Sequence, residues 1–178
     1  MSNNKLYITN IKFSIKFIGI NCFYIINLIK NVKHKNLFNF LIIYSKFTYI
    51  IFKSNNKILH CNITKVQSYR DIYLAKKRFK NIFMNATILS TNVDNICATK
   101  NLNKKINLDK LFYKLLSDNQ RIYHLNYNIQ KFPGLFIKFK KDILNGTLII
   151  FKSGKINYVG MKSPLNCLQI ENWVTNNV

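Results

Sequence analysis

Apolar and polar residues alternate near the start of the chain. Ile11, Phe13, Ile15 and Phe17 fall on one side of an extended backbone, Lys12, Ser14 and Lys16 on the other, so the pattern predicts a strand over residues 6–16. The period then changes: Ile25, Leu28, Ile29 and Val32 recur at helical spacing and predict a helix over 22–32. Residues 38–44 and 47–52 read as two strands about a turn at Ser45-Lys46. Asn55-Asn56 marks another turn, and 57–61 a further strand. The clearest helix covers 67–83, where Tyr69, Ile72, Ala75, Phe79, Ile82 and Phe83 form the apolar stripe. The same order then recurs. Residues 87–99 are extended; Leu108, Leu111, Phe112, Leu115 and Leu116 share a helix face capped by Asn107. Residues 132–138, 147–151 and 155–159 are strands. Ser163-Pro164, a cap followed by proline, opens a last helix through Leu165, Leu168, Ile170 and Val174.

Each half therefore reads strand, helix, several strands, helix. That predicts an α+β protein of two similar half-domains, residues 1–83 and 84–178, sharing one sheet. Two strands pose a physical problem. Tyr49-Ile50-Ile51-Phe52 and Leu148-Ile149-Ile150-Phe151 are apolar on both faces, and such strands need cover on both. Two helices per half cover one face. The second face is met by a ligand or partner, or else buried internally by a sandwich or a dimer. Strand parity sets Thr147, Ile149 and Phe151 on one side and Leu148 and Ile150 on the other.

Composition narrows the partner. The chain has 178 residues, with 28 Lys and Arg against six Asp and Glu, a formal charge of +22. An excess of that size points first to a polyanion such as nucleic acid, although an A·T-rich genome would also enrich Lys, Asn, Ile, Phe and Tyr. The four cysteines (Cys22, Cys61, Cys97, Cys167) stand far apart and are not grouped with His34, His60 or His124. No metal site is expected, and the thiols read as reduced and partly buried. Lys12 and Lys16 interrupt the early apolar residues, so no signal peptide is expected. The apolar runs at 17–29 and 41–52 are too short or too broken to span a bilayer, and no membrane partner is expected.

The last third carries the most specific motif: Lys131-Phe132-Pro133-Gly134-Leu135, then Gly146-Thr147-Leu148-Ile149-Ile150-Phe151-Lys152-Ser153-Gly154-Lys155, then Gly160-Met161-Lys162. A weaker copy lies upstream in Leu37-Phe38, Tyr49-Ile50-Ile51-Phe52-Lys53-Ser54, Lys57 and Lys65. Val93-Asp94-Asn95-Ile96-Cys97 and Ile106-Asn107-Leu108-Asp109-Lys110-Leu111 extend the pattern in the second half, and Ile8-Thr9-Asn10-Ile11 begins it in the first. The whole resembles the TATA-box-binding protein family. The resemblance implies a saddle: one curved antiparallel sheet from two pseudo-symmetric repeats, with helices on the convex face and the minor groove of A·T-rich promoter DNA on the concave face.

By the same resemblance, Phe38, Phe52, Phe132 and Phe151 are the wedges that unstack base steps and kink the duplex. Asn10 and Asn95 donate to base edges. Ile50, Leu59, Cys61, Cys97, Ile149 and Val159 supply the apolar floor, and Lys57, Lys65, Lys138, Lys155 and Lys162 contact phosphates. General initiation factors and an RNA polymerase are the implied partners, and a nucleus, nucleomorph or viral factory the implied place; no cofactor is implied. The first repeat departs from the pattern. Ser54-Asn55-Asn56-Lys57 lacks the glycine of the serine-glycine-lysine turn, no glycine precedes Lys65, and Tyr44 stands at a basic position. The segment 126–131 lacks the acids by which family members engage the B-class initiation factor. A structural RNA-binding protein, such as an organellar ribosomal protein, would share the charge but would not need the repeated phenylalanines. Catalysis is not expected: Asp71, Asp94, Asp109, Asp118, Asp142 and Glu171 are scattered along the chain and show no paired arrangement for metal or general acid-base work.

Overall fold

The computed structural model describes residues 5–20, 33–37, 39–52 and 57–178. Ten strands and three helices lie among them. In chain order they are β1 (Tyr7–Ile18), β2 (His34–Asn36), β3 (Phe40–Tyr44), β4 (Thr48–Phe52), β5 (Leu59–Val66), α1 (Tyr69–Ile82), β6 (Thr87–Asn101), α2 (Leu108–Leu115), β7 (Ile122–Asn128), β8 (Phe132–Phe139), β9 (Thr147–Phe151), β10 (Lys155–Met161) and α3 (Pro164–Asn177). The fold is α+β. The helix expected over 22–32 and the turn at Asn55-Asn56 lie outside the described residues.

The chain forms two compact units. One is Asn10–Asp94; the other is Asn95–Val178 with the start of β1 through Thr9. The division falls inside β6, because the first half of this long strand belongs with the N-terminal unit. The expected repeats placed the whole of that strand in the second half.

In the N-terminal unit the strand order is β2-β3-β4-β5-β1, and each pairing resolved there is antiparallel. Alternation does what the sequence pattern requires. Ile11, Phe13, Ile15, Phe17, Leu41, Ile43, Tyr49, Ile51, Leu59, Cys61 and Ile63 are all nearly or completely buried. Helix α1 covers this face. The Tyr49 hydroxyl donates to the Ala75 carbonyl at 3.0 Å, and Phe79 lies edge-on to Phe17 with centroids 5.0 Å apart. Burial pushes the Tyr49 hydroxyl well above the usual tyrosine range, so it stays a neutral donor.

The C-terminal unit has the order β6-β10-β9-β8-β7, antiparallel in the pairings resolved. Ile96, Leu135, Ile137, Leu148, Ile150, Ile156, Tyr158 and Met161 form its buried layer, under α2 and α3. Phe139 meets Trp173 edge-on at 4.9 Å. Lys100, only 8% exposed, is neutralised by Glu171, which also accepts from the Tyr158 hydroxyl at 2.5 Å. One carboxylate thus satisfies two buried donors, as a buried cation requires.

Candidate nucleic-acid interface

The alternate residues of the same strands face away from the helices. In the C-terminal unit they form cross-strand rows. Phe136 on β8 pairs with Ile149 on β9, Ile149 with Asn157 on β10, and Asn157 with Thr99 on β6. The next row is His124, Lys138, Thr147 and Val159. These residues keep partial or full exposure, Val159 at 36%, and no described helix covers them. An apolar floor left open in this way is an interaction surface rather than a core.

At one end of the face sits an aromatic pair. Phe132, 43% exposed, and Phe151 lie edge-to-face with centroids 5.9 Å apart. Gly134, which pairs with Phe151 across the ladder, makes room for them. A Cβ there would come within 2.7 Å of the Phe132 ring, 2.9 Å of Ile149 and 3.2 Å of the Phe151 ring. At the other end is Asn95. Its carbonyl oxygen accepts from the Gly160 N–H at 2.8 Å, and its amide nitrogen lies 3.2 Å from the Cys97 sulfur. The Gly160 donor fixes which way the amide points: oxygen toward the β10 bulge, NH₂ toward the Cys97 sulfur. Gly160 itself has φ +83°, the left-handed turn of that bulge. Lys138, Lys155 and Lys162 are exposed around the face.

The N-terminal unit repeats the ladder position by position. Ile11 pairs with Val66 beside a bulge as Ile96 pairs with Met161, which makes Asn10 the positional counterpart of Asn95 and Lys12 that of Cys97. Ile50 pairs with Asn62 as Ile149 pairs with Asn157. Phe52, 41% exposed, takes the position of Phe151. Ser68 and Ser163 both cap the helix that follows.

This register corrects several expectations. Leu59 and Cys61 are 1% and 0% exposed on the helix-covered face, with the Cys61 thiol driven upward by burial; they are core, not floor. The open-face residues of β5 are His60, Asn62 and Thr64. Lys65 stands at φ +64°, in the bulge position that Gly160 holds in the other unit, so it replaces the missing glycine. The residue in register with Lys162 is Gln67. Lys57 is exposed ahead of β5, while His60 occupies the register of Lys155. Phe38 lies outside the described residues.

Residues 90–174 match the family model described as transcription factor TFIID, or TATA-binding protein. A TATA-box-binding protein of Pyrodictium occultum is 29% identical over 89 residues, 50% of this chain and 40% of that relative. The chain thus matches well under half the length of that relative. The fold matches a TATA-binding protein of Methanococcus jannaschii with TM-score 0.72 over 97% of both chains at 21% identity. The fold is that of a TATA-binding protein, and residues 90–174 are similar in sequence to that family.

The family match by sequence coincides with the C-terminal unit, where the motif residues are intact. Several open-face positions carried no motif signal: Asn62, Asn157, Thr64 and Phe40. Only the strand register reveals them. Among the described residues no cluster of three His, Cys, Asp or Glu could hold a metal, and no helix is long and apolar enough to cross a membrane.

Proposed function

We propose that this chain is a transcription-initiation factor that binds A·T-rich duplex DNA in its minor groove through the helix-free faces. It kinks the duplex with phenylalanine wedges and nucleates assembly of initiation factors and an RNA polymerase, in the compartment that holds the transcribed genome, a nucleus in a eukaryotic cell. The observation that carries this reading is the Phe132–Phe151 pair, raised over Gly134 on an open apolar face.

Flat rings at the rim of an apolar sheet suit insertion between base pairs. Unstacking a step costs a few kcal/mol, offset by the larger surface the bent duplex then wraps, a strategy of which TATA-binding proteins are themselves the standard example. The Asn95 NH₂ suits the A N3 and T O2 acceptors, which look alike in either orientation of an A·T pair, whereas the guanine amino group would clash. Ile149, Val159, Cys97 and Ile50 provide the floor. Lys138, Lys155 and Lys162 act on phosphates and set affinity without reading sequence. Asn10 takes the second base-edge role.

The test is binding and bending of an A·T-rich duplex, followed by energy transfer between dyes on its ends. Wild type should shift the duplex saturably and shorten the end-to-end distance. Phe132→Ala with Phe151→Ala should abolish the shortening and leave weak, salt-sensitive binding. A double variant that bends DNA as wild type does overturns the wedge assignment. Tighter binding to structured RNA than to duplex DNA overturns the reading as a whole.

A further inference from the structure

We propose, resting on the DNA reading above, that Phe40 is the second ring of the N-terminal unit's wedge, acting with Phe52 as Phe132 acts with Phe151. The two units build the same ring pair from positions that are not equivalent. In the C-terminal unit the partner of Phe151 comes from Phe132, two residues before the ladder position, and the position opposite is Gly134. In the N-terminal unit the position opposite Phe52 is Phe40 itself. Its ring lies 6.4 Å from that of Phe52, tilted by 51°, against 5.9 Å and 61° in the other unit.

The Phe132 ring leans over its strand because Gly134 has no side chain; even a Cβ would stand 2.7 Å from it. In the N-terminal unit the corresponding ladder position carries Phe40 instead. Phe40 is not required by the core. Its neighbours Leu41 and Ile43 take the buried positions at 2% and 0% exposure, and Phe40 points to the open face beside Ile42 and Tyr44. A partly buried phenylalanine beside a 41% exposed one extends the apolar patch of the open face, and such a patch has a reason when it is a binding surface. A duplex lying on the face supplies that reason, because ring–base stacking is tolerant of sequence and needs only a flat edge at the right place.

The experiment is a scan with 2-aminopurine, whose fluorescence rises when it is unstacked. It replaces one adenine at a time in a duplex with an alternating T–A core and G·C ends. The full chain should brighten two separated steps. Phe40→Ala should return one of them to the free-duplex level while the other stays bright, and Phe151→Ala should do the converse. Each should weaken binding about tenfold, the scale of one lost stacking contact. Phe40→Leu, which keeps apolar bulk on the face but no flat ring, should behave as Phe40→Ala with an unchanged thermal midpoint. Two bright steps retained in both Phe40 variants overturn the proposal while leaving the DNA reading intact. No bright step with wild type overturns both.

Discussion

Asn95 shows how much one side chain rests on its neighbours. Its place near the start of the second repeat is readable from Val93-Asp94-Asn95-Ile96-Cys97. The Gly160 N–H that clamps its oxygen lies on another strand and is invisible until the strands pair. Asn95→Ala should lose about tenfold in affinity for an A·T duplex, roughly the worth of one such hydrogen bond. Asn95→Asp, which cannot donate, should lose more at neutral pH, and A·T over G·C preference measured by competition should fall in both. Glu171 makes a second residue-scale case. Glu171→Gln leaves the Lys100 ammonium buried without its counter-charge, and thermal or urea unfolding should show a loss of about 3 kcal/mol. Lys100→Met with Glu171→Leu removes both charges and should recover most of that loss. The sequence lists Glu171 only as one of six scattered acids, because its partners lie far away in the chain.

Among the elements, helices and their caps were the most legible. Asn107, Ser163 and the stripe of residues 67–83 all mark helices where they occur, because capping and helical periodicity are local. At the start of α1 the Ser68 oxygen accepts from the Asp71 N–H at 3.1 Å, and Asp71 in turn accepts from the Ser68 hydroxyl at 3.0 Å. Ser68→Ala and Ser163→Ala should each cost about 1 kcal/mol in urea unfolding. The hydrogen bond from Lys46, ahead of those from Ser68 and Gln67, holds the Asp71 carboxyl below the usual carboxylate range. A carboxyl lowered in the folded state adds stability above its unfolded value, near about 3.9, and that stability is lost as pH falls through the folded value. Asp71→Asn should therefore unfold more easily than wild type at neutral pH. The gap, under about 1 kcal/mol for so exposed an ion pair, should close on acidification. Strands were less legible. Strands β2 and β7 escaped because one is very short and the other is an edge strand with only Ile122 fully inside. The faces of β5 were misjudged because more residues separate Phe52 from β5 than separate Phe151 from β10, so that His60 rather than Lys57 takes the register of Lys155, and an offset of three reverses the faces.

At the scale of the molecule the charge of +22 makes salt the simplest probe of the DNA reading. Each phosphate contact adds about 0.9 to the slope of log affinity against log salt. Lys138→Gln with Lys155→Gln should therefore flatten that slope by about 2, with sequence preference unchanged, since phosphates position and bases specify. A slope equal to wild type removes both lysines from the interface.

The amino-acid order was enough for the fold class, the internal repeat, most strands and helices, and which residues of β9 share a face. Those features depend on periodicity, capping and residues close together in the chain. Which face of each strand stays open, that Lys65 stands in for a glycine, and that Phe40 rather than a glycine faces Phe52 emerged only from the paired strands. Register couples residues with no sequence proximity, and one bulge or one filled slot changes what lies opposite what.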